Sequence, residues 1–340
     1  LHALFAVLLF VVMALVYGAT VAPTVSFWDN AEFITSAEIM GVPHPPGSPL
    51  LSLAGRVLSL IPQPDIRHAA TGTDAWRINL LAVLSAARTV ALTYLVIVRL
   101  ITRITQFRDN AARDVPIMIC AAVASILAGL SHQFWENAVE IETYMPSLFL
   151  SVTAFWLVLR WDGNRDTLSG ITCLFPAVYL VGLGLGIHSY TLLILPSLVW
   201  LVVTGRMPWF RNRRVLGAVT GAAVILAGVN VFGGKTVFLT VMLVAALAGP
   251  AVSCVMTRKS GSVRLVLAGL MMALAVGALG YSVYPTIMVR AAKDPIINEG
   301  DPDTPGRYRD YIERTQYNQG NMYTGMFARR APLSYQAGFL

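Results

Sequence analysis

Long apolar runs separated by short polar breaks make up most of the chain, and these runs set the elements expected of it. Crossing a hydrocarbon layer of about 30 Å takes roughly 20 residues. On that measure the runs predict about nine spans, at residues 4–22, 78–98, 116–131, 145–159, 171–187, 189–203, 215–232, 236–254 and 265–289. The strict polar–apolar alternation of barrel strands is absent, which leaves helices to satisfy the backbone in lipid. The expected fold is all-α: a polytopic transmembrane bundle over residues 1–290, with a first outer loop at 23–76. A tail at 291–340 is expected to continue into a further C-terminal part.

Composition narrows the class. With 56% apolar and 13% charged residues and a mean hydropathy of +0.64, the chain has neither a soluble surface, which carries roughly a quarter charged residues, nor the polarity of a disordered segment. The net charge of +7 does not indicate a nucleic-acid partner, because the basic residues are scattered between apolar runs and form no patch. Cys120, Cys173 and Cys254 lie inside those runs, giving neither a disulfide framework nor a thiolate cluster.

Charge placement orients the bundle. Arg99, Arg103, Arg108 and Arg113, then Arg160 and Arg165, then Arg206, Arg211, Arg213 and Arg214, then Arg258, Lys259 and Arg264 occupy alternate breaks. The positive-inside rule makes these breaks cytoplasmic. The N-terminus is then inside, while the first loop, the segment around Glu140 and the tail face outward. Only Asp109, Asp114, Asp162 and Asp166 among the acids fall inside, so chemistry is expected on the outer face.

The first outer loop is the most informative stretch. Ser26 is expected to cap a helix whose first turn holds Asp29, with Glu32 on the same face, and Phe27 and Trp28 suit a membrane interface. That helix should end at Met40-Gly41, because four prolines in the 43–49 run forbid its continuation. Ser48 and Pro49 then open a second, interfacial helix over 49–60. Further on, Glu136, Glu140 and Tyr144 repeat every four residues along one expected helical face, with Glu142 pointing elsewhere. In the tail, Thr304-Pro305 should open a short helix that packs back over the outer face. Neither His44 nor His188 belongs to a metal-ligand pattern, and the acids at 299–303 lack EF-hand spacing, so no metal site is expected.

These residues resemble a family of multi-span GT-C glycosyltransferases, that of the transmembrane protein O-mannosyltransferase and its bacterial relatives. The resemblance rests on Trp28-Asp29-Asn30-Ala31-Glu32-Phe33-Ile34, Gly41-Val42-Pro43-His44-Pro45-Pro46-Gly47-Ser48-Pro49, Arg77-Ile78-Asn79-Leu80-Leu81, the 134–144 segment, Gly184-Leu185-Gly186-Ile187-His188-Ser189 and the tail from Tyr284 through Pro302. The family's acidic motif often reads Gly-Asp-Ser/Asn-Gly-Glu; here Trp28 precedes Asp29 and Ala31 stands where Gly is common. The resemblance implies transfer of a sugar such as mannose from a polyprenyl-phosphate donor to a hydroxyl of a protein or glycan acceptor. The transfer is a single inverting displacement, on the outer face of a bacterial cytoplasmic membrane. It implies no certain cofactor beyond that lipid-linked co-substrate, although some members of the superfamily use a divalent cation. Asp29 is the expected base, with Glu32, His44, Glu140, Glu142 and Tyr144 positioning acceptor or donor. The departing phosphate needs cationic or N–H donors near headgroup level, for which Arg290, His188 and Arg77 are the candidates. Two other classes fit the composition: a lipid or neutral-solute transporter, and a non-catalytic subunit of a membrane complex.

Overall fold

The structure, a computed structural model, describes residues 1–61, 74–105, 111–163, 168–195, 197–198, 201 and 262–317. Among these, every regular element is helical. They are α1 (His2–Gly18), α2 (Asn30–Ile39), α3 (Pro49–Ser59), α4 (Asp74–Thr105), α5 (Ala111–Gly129), α6 (His132–Val139), α7 (Tyr144–Gly163) and α8 (Leu168–Leu185), then a 3-10 turn at Ser189–Ile194, α9 (Ser262–Tyr281), α10 (Thr286–Ala291) and α11 (Pro305–Glu313).

The 32-residue α4 is the mast of the bundle. Met13 and Tyr17 of α1 bury themselves against Val83, Ala86, Ala87 and Val90 of α4, and the Tyr17 hydroxyl donates to the Gly129 carbonyl of α5 at 2.8 Å. A Cβ at Gly129 would lie 2.7 Å from a Val90 methyl and 2.8 Å from the Tyr17 oxygen, so this three-helix crossing needs glycine. In mid-helix, the Arg88 guanidinium lies 5.7 Å from the rings of both Phe10 and Phe149, a cation–π arrangement that softens a charge among apolar neighbours. Helices α8 and α9 meet backbone to backbone: a Cβ on Gly182 would stand 2.0 Å from the Gly277 carbonyl oxygen, and one on Gly280 2.3 Å from that of Tyr179. Small residues at a helix crossing are how helices associate in lipid, where apolar surface alone gives no drive.

Among the described residues, two helical stretches, Asp74–Arg103 and Ala268–Ala291, are long and apolar enough to cross a membrane, with a third if Asp114–Gly129 and His132–Val139, bent by 67°, form one span. The expected nine spans are therefore met only in part. His2–Gly18 and Thr172–Leu185 are apolar but shorter. The runs at 215–232 and 236–254, their hairpin at 233–235, part of 189–203 and the basic residues Arg206–Arg214 and Arg258–Lys259 lie outside the described residues. The stretch Ala268–Ala291 corresponds to the expected ninth span; within it Ser282–Pro285 forms a turn between α9 and α10, where Pro285 withholds a backbone N–H.

Candidate active site at the start of α2

Two buried amides anchor the loop between α1 and α4. Asn30 donates to Asn79 Oδ1 (3.1 Å) and to the Ile141 carbonyl (3.0 Å), and its Oδ1 accepts from Ser26 N–H at 2.8 Å. Asn79 in turn donates to the carbonyls of Ala22 and Thr24, and accepts from Ile141 N–H at 2.9 Å. Both side chains are fully buried. The pair ties the start of α2, the top of α4 and the segment after α6 into one unit. Ser26 is not the expected cap: α2 starts later, Asp29 holds the cap position, and the Ser26 hydroxyl is buried without a hydrogen bond.

As the sequence indicates, α2 ends at Met40, whose left-handed backbone stops it. Arg290 of α10 closes that end, donating from Nε to the Met40 carbonyl at 2.8 Å and from Nη2 to that of Ile39 at 3.4 Å. The proline turn then reverses the chain, with Gly47 at φ +71° pressed so close to Tyr311 and Ile287 that a Cβ would lie within 2.8 Å of each. The reversal lays His44 back on α2. Its backbone N–H donates to Glu32 Oε1 (2.7 Å), its Nδ1 is 2.6 Å from Glu32 Oε2, and its Nε2 is 3.9 Å from Asp29 Oδ2. The Phe33 ring packs beside the imidazole. Ligating atoms of Asp29, Glu32 and His44 all lie within 4.8 Å of one another, which fits a divalent cation held by mixed carboxylate and imidazole donors. Sequence reading named all three residues but missed their union, because a separation of twelve residues follows no helical or strand period.

The electrostatics are those of a tight acid–imidazole pair. Burial pushes the Glu32 carboxyl up, yet the two hydrogen bonds and the charge of His44 bring it below the ordinary carboxylate value. His44 is raised by its hydrogen bond to Glu32, against the opposing effect of burial, and the charges of Glu32, Asp29 and Glu299 add to the rise. Glu299 arrives from the tail. Val42 N–H donates to the Ile297 carbonyl and Glu299 N–H to that of Val42, making a parallel bridge between the proline turn and the tail. Burial and the charge of Glu32 raise Glu299. The Tyr311 hydroxyl of α11 donates to the Pro43 carbonyl, and α11 itself is opened by Thr304, as its sequence predicts. The neighbouring acids Asp301 and Asp303 pair with Arg307 instead.

The segment between α6 and α7 departs from expectation. Helix α6 stops at Val139 and Glu140 is extended, so Glu136, Glu140 and Tyr144 do not share one helical face. The break buries Glu142 instead, at 9% exposure. Burial pushes its carboxyl up to about 7, with the charges of Asp29 and Glu140 adding to the rise. Tyr144 packs against the His188 ring. His188 Nδ1 accepts from Tyr190 N–H at 3.0 Å, and burial, then the charge of Arg314, lower its pKa. His188 is thus a neutral cap of the 3-10 turn, not a cation. Arg77 pairs with Asp74 and donates to the Ile61 carbonyl. Of the three expected phosphate ligands, Arg290 and Arg77 are engaged by backbone or acid, and Arg290 sits at the far end of α2 from Asp29.

Residues 29–209, more than half of the chain and beginning at Asp29 itself, match the family described as the protein O-mannosyl-transferase TMEM260 N-terminal domain. The protein O-mannosyl-transferase tmem260 of Dictyostelium discoideum is 24% identical over 212 residues, covering 59% of this chain and 23% of the relative. The match thus spans under a quarter of that relative's length. No solved structure matches.

Proposed function

The chain belongs to the family of the protein O-mannosyl-transferase TMEM260 N-terminal domain, and from that premise we propose that it is a membrane glycosyltransferase. Its donor is a polyprenyl-phosphate sugar, mannose in the first instance, and its acceptor a Ser or Thr hydroxyl of a protein. The fold is read as GT-C type, with the N-terminus cytoplasmic and the site on the outer face, as the basic breaks between spans suggest. One observation carries the reading: a half-exposed Asp29 carboxylate stands beside a Glu32–His44 pair fixed by two hydrogen bonds of 2.6 and 2.7 Å.

An alcohol is a weak nucleophile until its proton is removed. Asp29 takes that proton as the acceptor oxygen forms its bond to C1, and the bond from C1 to the phosphate oxygen breaks on the opposite face with inversion. The bonding pair leaves on the phosphate. A positioned base contributes about 10² to 10⁴ in rate. His44, held towards its protonated form by Glu32, supplies positive charge and an N–H where charge builds on the departing phosphate. With His44 deprotonated, Asp29, Glu32 and His44 would instead hold a divalent cation, which would supply that positive charge in place of the imidazolium.

The test uses purified protein, polyprenyl-phosphomannose and Ser/Thr peptides. Asp29→Asn is expected to lower turnover by at least about a hundredfold. Turnover that survives the substitution rejects Asp29 as the base. A wild-type protein inert towards every such donor rejects the transferase reading in favour of a transporter or a non-catalytic subunit.

A further inference from the structure

Five non-glycine residues among those described have a left-handed backbone: Trp28, Met40, Asp294, Asp301 and Arg314. Four have a local reason. Met40 and Arg314 terminate α2 and α11, and aspartate tolerates the conformation through its short polar side chain. Trp28, at φ +60°, is a bulky aromatic in a region that only glycine enters without strain. Packing does not offset the strain, because Trp28 is 90% exposed. Backbone outliers of this kind cluster at active sites and ligand clamps.

We propose that Trp28 is a substrate-binding residue of the transferase described above, on whose assignment this proposal rests: its indole is the surface against which the apolar face of the donor's sugar ring lies. One peptide bond joins Trp28 to Asp29, whose carboxylate belongs to the polar group around His44. The prenyl chain of a donor stays in hydrocarbon. The part of the donor that reaches Asp29 is the sugar, and the apolar part of a sugar is the C–H face of its ring. That face carries partial positive charge and meets the negative face of an indole favourably. Stacking there would hold C1 in line between the acceptor oxygen and the phosphate. A membrane anchor would be served as well by an unstrained aromatic, such as the adjoining Phe27, itself 89% exposed.

The proposal is tested in nanodiscs by measuring prenyl-phosphate release from citronellyl- and undecaprenyl-phosphomannose. Wild type is compared with Trp28→Gly, Trp28→Phe and Phe27→Ala. Trp28→Gly is expected to raise KM about tenfold for both donors with little change in kcat, and Trp28→Phe to recover most of that loss. Phe27→Ala should leave KM within about twofold of wild type. Glycine relaxes the backbone at this position, so Trp28→Gly should melt no lower than wild type, which separates lost binding from misfolding. A KM indifferent to Trp28→Gly overturns the proposal. So does a rise confined to the long-chain donor or reproduced by Phe27→Ala, which assigns the indole to lipid. An inert wild type overturns the transferase reading and this proposal together, whereas an active wild type indifferent to Trp28 overturns this proposal alone.

Discussion

Glu142 is a buried acid that the fold holds against its own ionisation. Its carboxyl has an ordinary value of 4.5 and is pushed up to about 7 by burial, reinforced by the charge of Asp29. Between those two values the unfolded chain has lost the proton and the folded chain keeps it. Stability attributable to this group therefore falls as pH rises from 4.5 to about 7 and is flat outside that window. The full penalty at pH 8 is roughly 3 kcal/mol. Glu142→Gln keeps the shape and abolishes the ionisation, so the variant escapes the penalty. Thermal unfolding of both proteins in detergent, followed by intrinsic fluorescence at pH 5 and pH 8, reads it out. The variant is expected to gain on the order of 5 °C over wild type at pH 8 relative to their difference at pH 5. A difference that stays constant across this range would refute the reasoning, because it would mean that Glu142 is ionised in the folded protein throughout.

The Glu32–His44 pair has the opposite signature. Glu32, lowered, contributes stability above 4.5, and His44, raised, contributes below 6.5. The destabilisation caused by His44→Gln should therefore peak between those values and shrink towards both pH 3 and pH 9. Melts across pH check this, and a flat profile counts against the pairing. Tyr311→Phe removes the buried hydroxyl that donates to the Pro43 carbonyl and is expected to cost about 1–2 kcal/mol, measured by denaturant unfolding.

Local signals in the sequence locate three of the termini, though the start of α2 falls at Asp29 and not at Ser26. The end of α2 at Met40, the start of α3 at Pro49 and the Thr304-Pro305 opening of α11 all follow from backbone restrictions carried by one or two residues. What joins distant segments was not legible. His44 meets Glu32 only because the proline turn reverses, and Glu299 comes near them only because Val42 pairs with residues 297–299. Periodicity misled at 136–144, where a four-residue repeat of suitable side chains crosses a helix end and buries Glu142 instead of displaying it. The expected phosphate ligands were chosen by their closeness to span ends, a criterion blind to the carbonyls and the acid that engage Arg290 and Arg77.

The contact of Tyr311 with Pro43, beside the bridge between Val42 and Asn298, closes over a sequence separation of 268 residues. During synthesis, the loop carrying Asp29 emerges early, and the segment that clamps it follows only after α10 has been made. A nascent chain holding every acid of the first two outer loops would still lack its clamp until residues 297–311 had followed.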